Sequence, residues 1–285
     1  MINDYIRLVR PKHALKNVYV LLPLVFSREL TNVPLLWKTF LAFLTFCCTA
    51  SIVYVMNDLK DAEKDRLHPE KKKRPIASGA VSCKGAIGTI CVLAAIILIL
   101  GLLCGFPWMG WICILCYLLL NIVYSFGLKT IPIVDVTILT FGFLLRMLFG
   151  SSVIGIAVSN WLYLTVMAIS FYMALGKRRN ELRQNSTETR DVLRLYSYSF
   201  LDKNMQICLT LGITFYALWS MQVPTALGVG PMVWTVPLVL CICMKYSLAV
   251  EGDSDGDPVE VIYSDKILLT LIVIFSAVIL ALLYF

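Results

Sequence analysis

Ile90–Leu103, ICVLAAIILILGLL, and Ile267–Leu283, ILLTLIVIFSAVILALL, decide the fold. Neither alternates apolar with polar residues as a membrane β-strand does, and neither keeps the polar face of a surface helix. Segments that are apolar all round and approach the roughly 20 residues needed to cross a bilayer read as helices in lipid. The rest of the chain agrees: its 285 residues are 59% hydrophobic and 15% charged, with mean hydropathy +0.80. Soluble domains run nearer about 45–50% and about 25%. Apolar runs bounded by charges or Gly/Pro breaks predict nine spans, near 13–30, 35–57, 84–105, 108–126, 132–156, 160–177, 204–222, 230–250 and 266–284. The first is the weakest, since Pro23 interrupts it and Lys16 and Asn17 must sit at the membrane edge or in a cavity. The expectation is an all-α polytopic membrane protein with one domain over 1–285, a bundle of about nine helices with a cytoplasm-facing polar cavity.

Charge sets the orientation. Of the 25 Lys and Arg, 22 fall at the N-terminus or in alternate loops, which the positive-inside rule places in the cytoplasm of an inner-membrane protein. The net charge of +7 is therefore topology, and nucleic acid is not an expected partner. Of the 18 acidic residues, all but Glu29 lie on the cytoplasmic side or in spans entered from it, so function is expected to face the cytoplasm. The 10 cysteines sit mostly in apolar runs, and with only His13 and His68 available a zinc site is not expected. No cleavable leader is expected, because Asp4, Arg7 and Arg10 precede the first apolar run and no small-residue cleavage site follows it. A homo-oligomer stays open.

The strongest chemical signal is Asn57–Gly79, NDLKDAEKDRLHPEKKKRPIASG, at the end of the second span. At about 100° per residue, Asn57, Asp61, Asp65 and Asp58 fall within roughly 100° of one helix face. Like charges so spaced destabilise a bare helix, whereas hard oxygens on one face suit Mg²⁺, which keeps waters and bridges to phosphate. Asn57, Asp58, Asp61 and Asp65 are the candidate ligands, with Asp58, Asp61 and Asp65 carrying catalysis. The bland reading, a solvated acidic helix end, leaves their position at the membrane edge unexplained. Lys71 and Lys72 are accounted for by topology, whereas Lys73 is a candidate for substrate binding. Arg66 and Arg74 could clamp a pyrophosphate bidentately. Further along, Asp135 and Arg146 are eleven residues apart, about 16 Å on nearly one face of the fifth span. Ionisable groups in a span usually line a cavity, so a polar pocket entering the membrane is expected. DSDGD at 253–257 fails as a calcium loop, with Pro258 and Ser264 where glycine and glutamate are needed.

The N-D-x-x-D-x-x-x-D helix end followed by H-P-x-K-x-x-R-P-I-A-S-G resembles the UbiA superfamily of intramembrane prenyl-chain transferases. Within it the chain most resembles the decaprenyl-phosphate phosphoribosyltransferase branch, along nearly its whole length. Arg10-Pro11 with Lys16-Asn17 is similar to that branch's opening, Tyr124–Lys129 (YSFGLK) to its Y-x-x-x-L-K, and Gly176-Lys177-Arg178 with Glu181 to its G-K-R-x-x-E. Asp135 and Arg146 match its acidic and arginine positions. Aromatic-acceptor members typically carry a second D-x-x-x-D motif; here the region reads GKRRNELRQNSTETRDVLRLYS, with Leu195 four residues after Asp191. The resemblance implies Mg²⁺-dependent transfer of 5-phosphoribose from phosphoribosyl pyrophosphate to a polyprenyl phosphate. Lys177 and Arg178 would hold the 5-phosphate, and Lys16, Tyr124 and Lys129 the lipid phosphate or the leaving group. A rival is a prenyltransferase joining a prenyl diphosphate to an aromatic ring, which needs the missing motif. A transporter would show repeats, and none is found.

Overall fold

The computed structural model describes residues 2–183, 191–252 and 257–285. Eleven α-helices and a two-residue hairpin fall into two compact units. The first takes the N-terminal stretch to Leu24 with 29–125 and 145–156; the second takes 25–28, 126–144 and 157–285.

In the first unit, α1 (Ile2–Val9) leads through Arg10 into a 3₁₀ helix, Pro11–Leu21. Helix α2 (Leu22–Phe26) is only a short turn. Helix α3 (Val33–Leu67) starts where the Asn32 side chain accepts the Leu35 N–H and Pro34 occupies the first turn. It stops at His68 because Pro69 cannot follow an α-helical residue without a clash. Its 35 residues make it about 52 Å long, well beyond the roughly 30 Å of hydrocarbon. The surplus turns hold Asn57 to Asp65. Helix α4 (Cys83–Leu103), capped by Ser82, runs against α3, and α5 (Trp108–Phe126) follows. Phe46, Phe106, Tyr117 and Phe149 interlock as edge-to-face or tilted rings at the core. Gly150, on α6 (Val134–Ile154), is pressed against the 3₁₀ helix, and a Cβ there would lie 2.1 Å from the Val20 carbonyl oxygen.

In the second unit, α7 (Asn160–Arg183) and α8 (Tyr198–Gln222) pack along each other more extensively than any other pair of elements. Gly212 permits the approach: a Cβ there would sit 2.7 Å from Ile169 Cδ1. The hairpin β1 (Pro224–Thr225) and β2 (Gly228–Val229) precedes α9 (Val236–Glu251), α10 (Pro258–Ser264) and α11 (Lys266–Tyr284). Asp257 and Asp265 cap α10 and α11 by accepting backbone N–H groups. The core gathers Tyr172, Leu201, Tyr246, Val250 and Leu268.

The protein is an all-α, multi-pass membrane protein; the expected count of nine spans is not confirmed. Among the described residues six helical stretches are long and apolar enough to cross: α3, α4, α5, α6, Pro231–Glu251 and α11. The expected span at 13–30 is a 3₁₀ helix, Pro11–Leu21, that runs directly into the five-residue α2, and it is not among the six. Those at 160–177 and 204–222 are helical, within α7 and α8, and Asn160, Thr165, Ser170 and Lys177, and Asn204, Gln206 and Thr210, lower their hydropathy so that neither is among the six.

Candidate active site

The first unit builds an open, cation-rich cleft on the overhanging end of α3. Arg10 is in the left-handed region, φ 54°, which a non-glycine residue adopts only under local constraint. This turn redirects the chain from α1 into the 3₁₀ helix and carries the Arg10 guanidinium over the Tyr54 ring, 5.4 Å from its centroid. Arg10 Nη2 ends 2.6 Å from Asp58 Oδ1. From the other side, Arg74 Nη1 reaches Asp65 Oδ2 at 2.7 Å and Asp58 Oδ1 at 3.2 Å. Arg74 is held by the segment after it: Ile76 buries with Leu8, Val55 and Val81, and the Ser78 N–H returns to the Arg74 carbonyl. Asp58 Oδ2 is buried and has no hydrogen-bond partner among the described residues, a deficit of about 1–3 kcal/mol. A cleft of about 390 Å³ opens at this point, lined by Arg7, Arg10, His13, Asp58, Glu70, Lys71, Lys73, Arg74 and Pro75. Arg7 donates to the Lys73 carbonyl, and Lys73 pairs with Glu70 at 3.0 Å, which holds the Glu70 carboxyl below its ordinary range.

The remaining first-unit residues separate by role. Asn57 Oδ1 accepts the Ser125 hydroxyl at 2.6 Å, and Lys60 donates to the Ser125 carbonyl, so the end of α5 is tied to the acidic face. Asp61 is half-buried and carries no ion pair among the described residues. Arg66 is exposed and joins none of these contacts. Lys16 and Tyr124 are half-buried. Asn17 is interior: its Oδ1 takes Arg146 Nε at 2.7 Å, and Arg146 also donates to the Tyr117 hydroxyl at 2.9 Å. Arg146 stacks over the rings of Phe46 and Tyr117.

In the second unit the acidic centre is sealed. Asp135 is 0% exposed; its Oδ2 takes Arg178 Nε at 2.6 Å and its Oδ1 the Tyr196 hydroxyl at 2.7 Å. The same hydroxyl accepts the N–H of Ile133, a β-branched residue held at φ 69°. Burial, then donation to Asp135, pushes the Tyr196 phenol up to about 12. Arg178 also binds Glu181 at 2.6 Å. Asp135 and Arg146 are each engaged by partners of their own unit. Arg178, buried and committed to two carboxylates, is not disposed to hold a phosphate. Lys177 is more accessible and pairs with Asp257 at 3.2 Å. Arg179 joins Asp202 and Glu251, and Lys129 is half-buried in the 3₁₀ turn Leu128–Thr130. Residues 184–190, where a second acidic motif would stand, and most of DSDGD lie outside the described residues.

Residues 20–263, across both units, match the model of the UbiA prenyltransferase family. The chain belongs to that family. Among curated relatives it is 33% identical to a decaprenyl-phosphate phosphoribosyltransferase of Corynebacterium glutamicum, over 92% of this chain and 81% of that one. It is 30% identical to the protein of that name from Mycolicibacterium smegmatis, covering 100% of this chain and 94% of the relative. Among solved structures, a UbiA homologue from Archaeoglobus fulgidus bound to GPP and Mg²⁺ superposes with TM-score 0.71 at 19% identity, over 98% of this chain and 97% of that one. That likeness concerns the UbiA fold.

The chemistry of the donor set fits a hard cation only in part. Among the described residues no three His, Cys, Asp or Glu side chains converge as a metal cage. The orphaned Asp58 oxygen and the unpaired Asp61, one turn apart, nevertheless suit an ion that draws most of its ligands from water and phosphate. Sequence reasoning singled out this face but passed over Arg7, His13 and Ser125, and it used Arg10 only as part of a motif; the Arg10-Pro11 pair was the available signal.

Proposed function

We propose that this UbiA protein transfers 5-phosphoribose from phosphoribosyl pyrophosphate to a polyprenyl phosphate and releases pyrophosphate, using Mg²⁺. The observation that carries the reading is the cleft around Asp58, where five Lys and Arg side chains and His13 face two carboxylates, one with a free oxygen. Such a surplus suits a polyanion with a bound cation. The long similarity to proteins named decaprenyl-phosphate phosphoribosyltransferase supports the same choice.

Asn57, Asp58, Asp61 and Asp65 form the cation-facing side, and Arg10, Lys73 and Arg74 hold the pyrophosphate. Bound Mg²⁺ supplies neutralisation of the charge that builds on the departing pyrophosphate. The acceptor phosphate is already an anion, so the chain needs no general base. Lys177 takes the sugar 5-phosphate, its pairing with Asp257 marking an anion-receptive position. Arg178, Glu181 and Asp135 support the helix that carries Lys177. Lys16, Tyr124 and Lys129 attend the lipid phosphate. Residues 1–285 act as one transferase domain in the inner membrane, with the N-terminus and basic loops cytoplasmic, as the charge distribution supports.

Membranes containing the protein, incubated with radiolabelled phosphoribosyl pyrophosphate and Mg²⁺, should yield butanol-extractable label only when polyprenyl phosphate is added. A prenylated aromatic formed from prenyl diphosphate, without lipid-linked phosphoribose, would overturn the reading in favour of the aromatic-acceptor branch.

A further inference from the structure

We infer that Arg74 is a displaceable counter-cation: its guanidinium occupies the cation-facing carboxylates Asp58 and Asp65, so the divalent ion enters together with a pyrophosphate-bearing ligand rather than ahead of it. The inference rests on the reading of this cleft as the meeting place of cation and pyrophosphate. One nitrogen of Arg74 bridges two carboxylates seven residues apart on α3, 2.7 Å from one and 3.2 Å from the other, as an ion would. The arginine is the accessible member of the trio, its side chain 31% exposed against 2% and 6% for the carboxylates.

The arrangement is also incomplete. Arg10 and Arg74 both bind Asp58 through Oδ1, leaving Oδ2 buried at the cleft wall with no partner among the described residues. A dication at that oxygen would face the Arg74 guanidinium across a few ångströms, where like charges repel strongly. Phosphate oxygens remove the conflict, because they accept a guanidinium at least as well as a carboxylate does. An arriving pyrophosphate therefore draws Arg74 off Asp65 and brings the cation that satisfies Asp58 Oδ2. Arg74 in this account selects the metal complex of the donor over free metal.

The test measures Mn²⁺ binding by electron paramagnetic resonance to the full-length protein in nanodiscs, with no phosphate ligand. Arg74→Gln should bind Mn²⁺ roughly tenfold or more tightly than wild type, the scale of one lost charged contact. The same variant should show a raised KM for the sugar donor, an opposition of sign that general damage to the site does not give. Arg74→Lys, which keeps the charge on a shorter and non-planar head, should show a smaller gain of a few fold and carries the test if Arg74→Gln does not fold. Unchanged or weaker Mn²⁺ binding in the folded variants, or no Mn²⁺ bound by any form, overturns the inference. Because no sugar or lipid is present in the binding measurement, its outcome is independent of whether phosphoribose proves to be the group transferred.

Discussion

Asp58, in the first unit, and Asp135, in the other, share their nearest contact: each is a buried carboxylate with an arginine nitrogen at 2.6 Å. They differ in what is left over. Asp135 has both oxygens occupied, by Arg178 and Tyr196, and its arginine side chain is 1% exposed. Asp58 has two arginines on one oxygen and no described partner on the other, and those arginines are 25% and 31% exposed. A charge cluster that satisfies itself is a strut, and one that leaves an oxygen unsatisfied beside accessible cations is prepared for a ligand.

The largest effect should come from breaking the strut. Arg178→Ala leaves Asp135 buried without its counter-charge and should cost about 3–5 kcal/mol of stability, seen as loss of folded protein in detergent thermal-unfolding assays. Retention of near wild-type stability would mean that Asp135 and Arg178 are not the strut described. Next, Asp61→Asn should lower transfer at least about 100-fold while the unfolding midpoint stays within the small range of a surface change. Near-normal turnover at saturating Mg²⁺ would remove the cation-facing role.

Tyr196→Phe takes a hydroxyl from both Asp135 and the Ile133 N–H and should destabilise by about 1–3 kcal/mol. The phenol also gives this contact a pH signature. Its value rises on folding from 10.0 to about 12, so its contribution is full below pH 10 and is lost as pH climbs from 10 to 12. The variant should lack that alkaline loss in a stability-against-pH series. The smallest effect belongs to Lys177→Ala, where the partly exposed ammonium predicts about a tenfold rise in the KM for phosphoribosyl pyrophosphate with little change in stability. An effect confined to the lipid substrate would exchange the two phosphate assignments.

The sequence made the Asn57–Asp65 face legible because helical periodicity alone brings those residues together, and α3 continues unbroken through them. The division between strut and site was not legible. Arg178 meets Asp135 across 43 residues and Tyr196 meets it across 61, separations no local pattern encodes. Lys177 and Arg178 therefore read as one phosphate-binding pair, although the two face different partners. Arg10 is hidden for a related reason: a left-handed residue ahead of proline is set by the packing of the 3₁₀ helix rather than by its own preference. The expected spans at 160–177 and 204–222 fall within α7 and α8, which pack along each other and are not among the six stretches selected by length and composition.

The contact of Gly150 with Val20 extends the site's sensitivity well past its own lining. The 3₁₀ helix that ends next to Val20 begins at Pro11, directly after Arg10, so anything that pushes its far end tilts the segment that aims the guanidinium. A single methyl at Gly150 has nowhere to go, since the atom it meets is backbone. In a genetic screen, alleles at Gly150 would sort with those of the acidic motif while mapping almost a hundred residues away in sequence, a lesion in alignment rather than in chemistry.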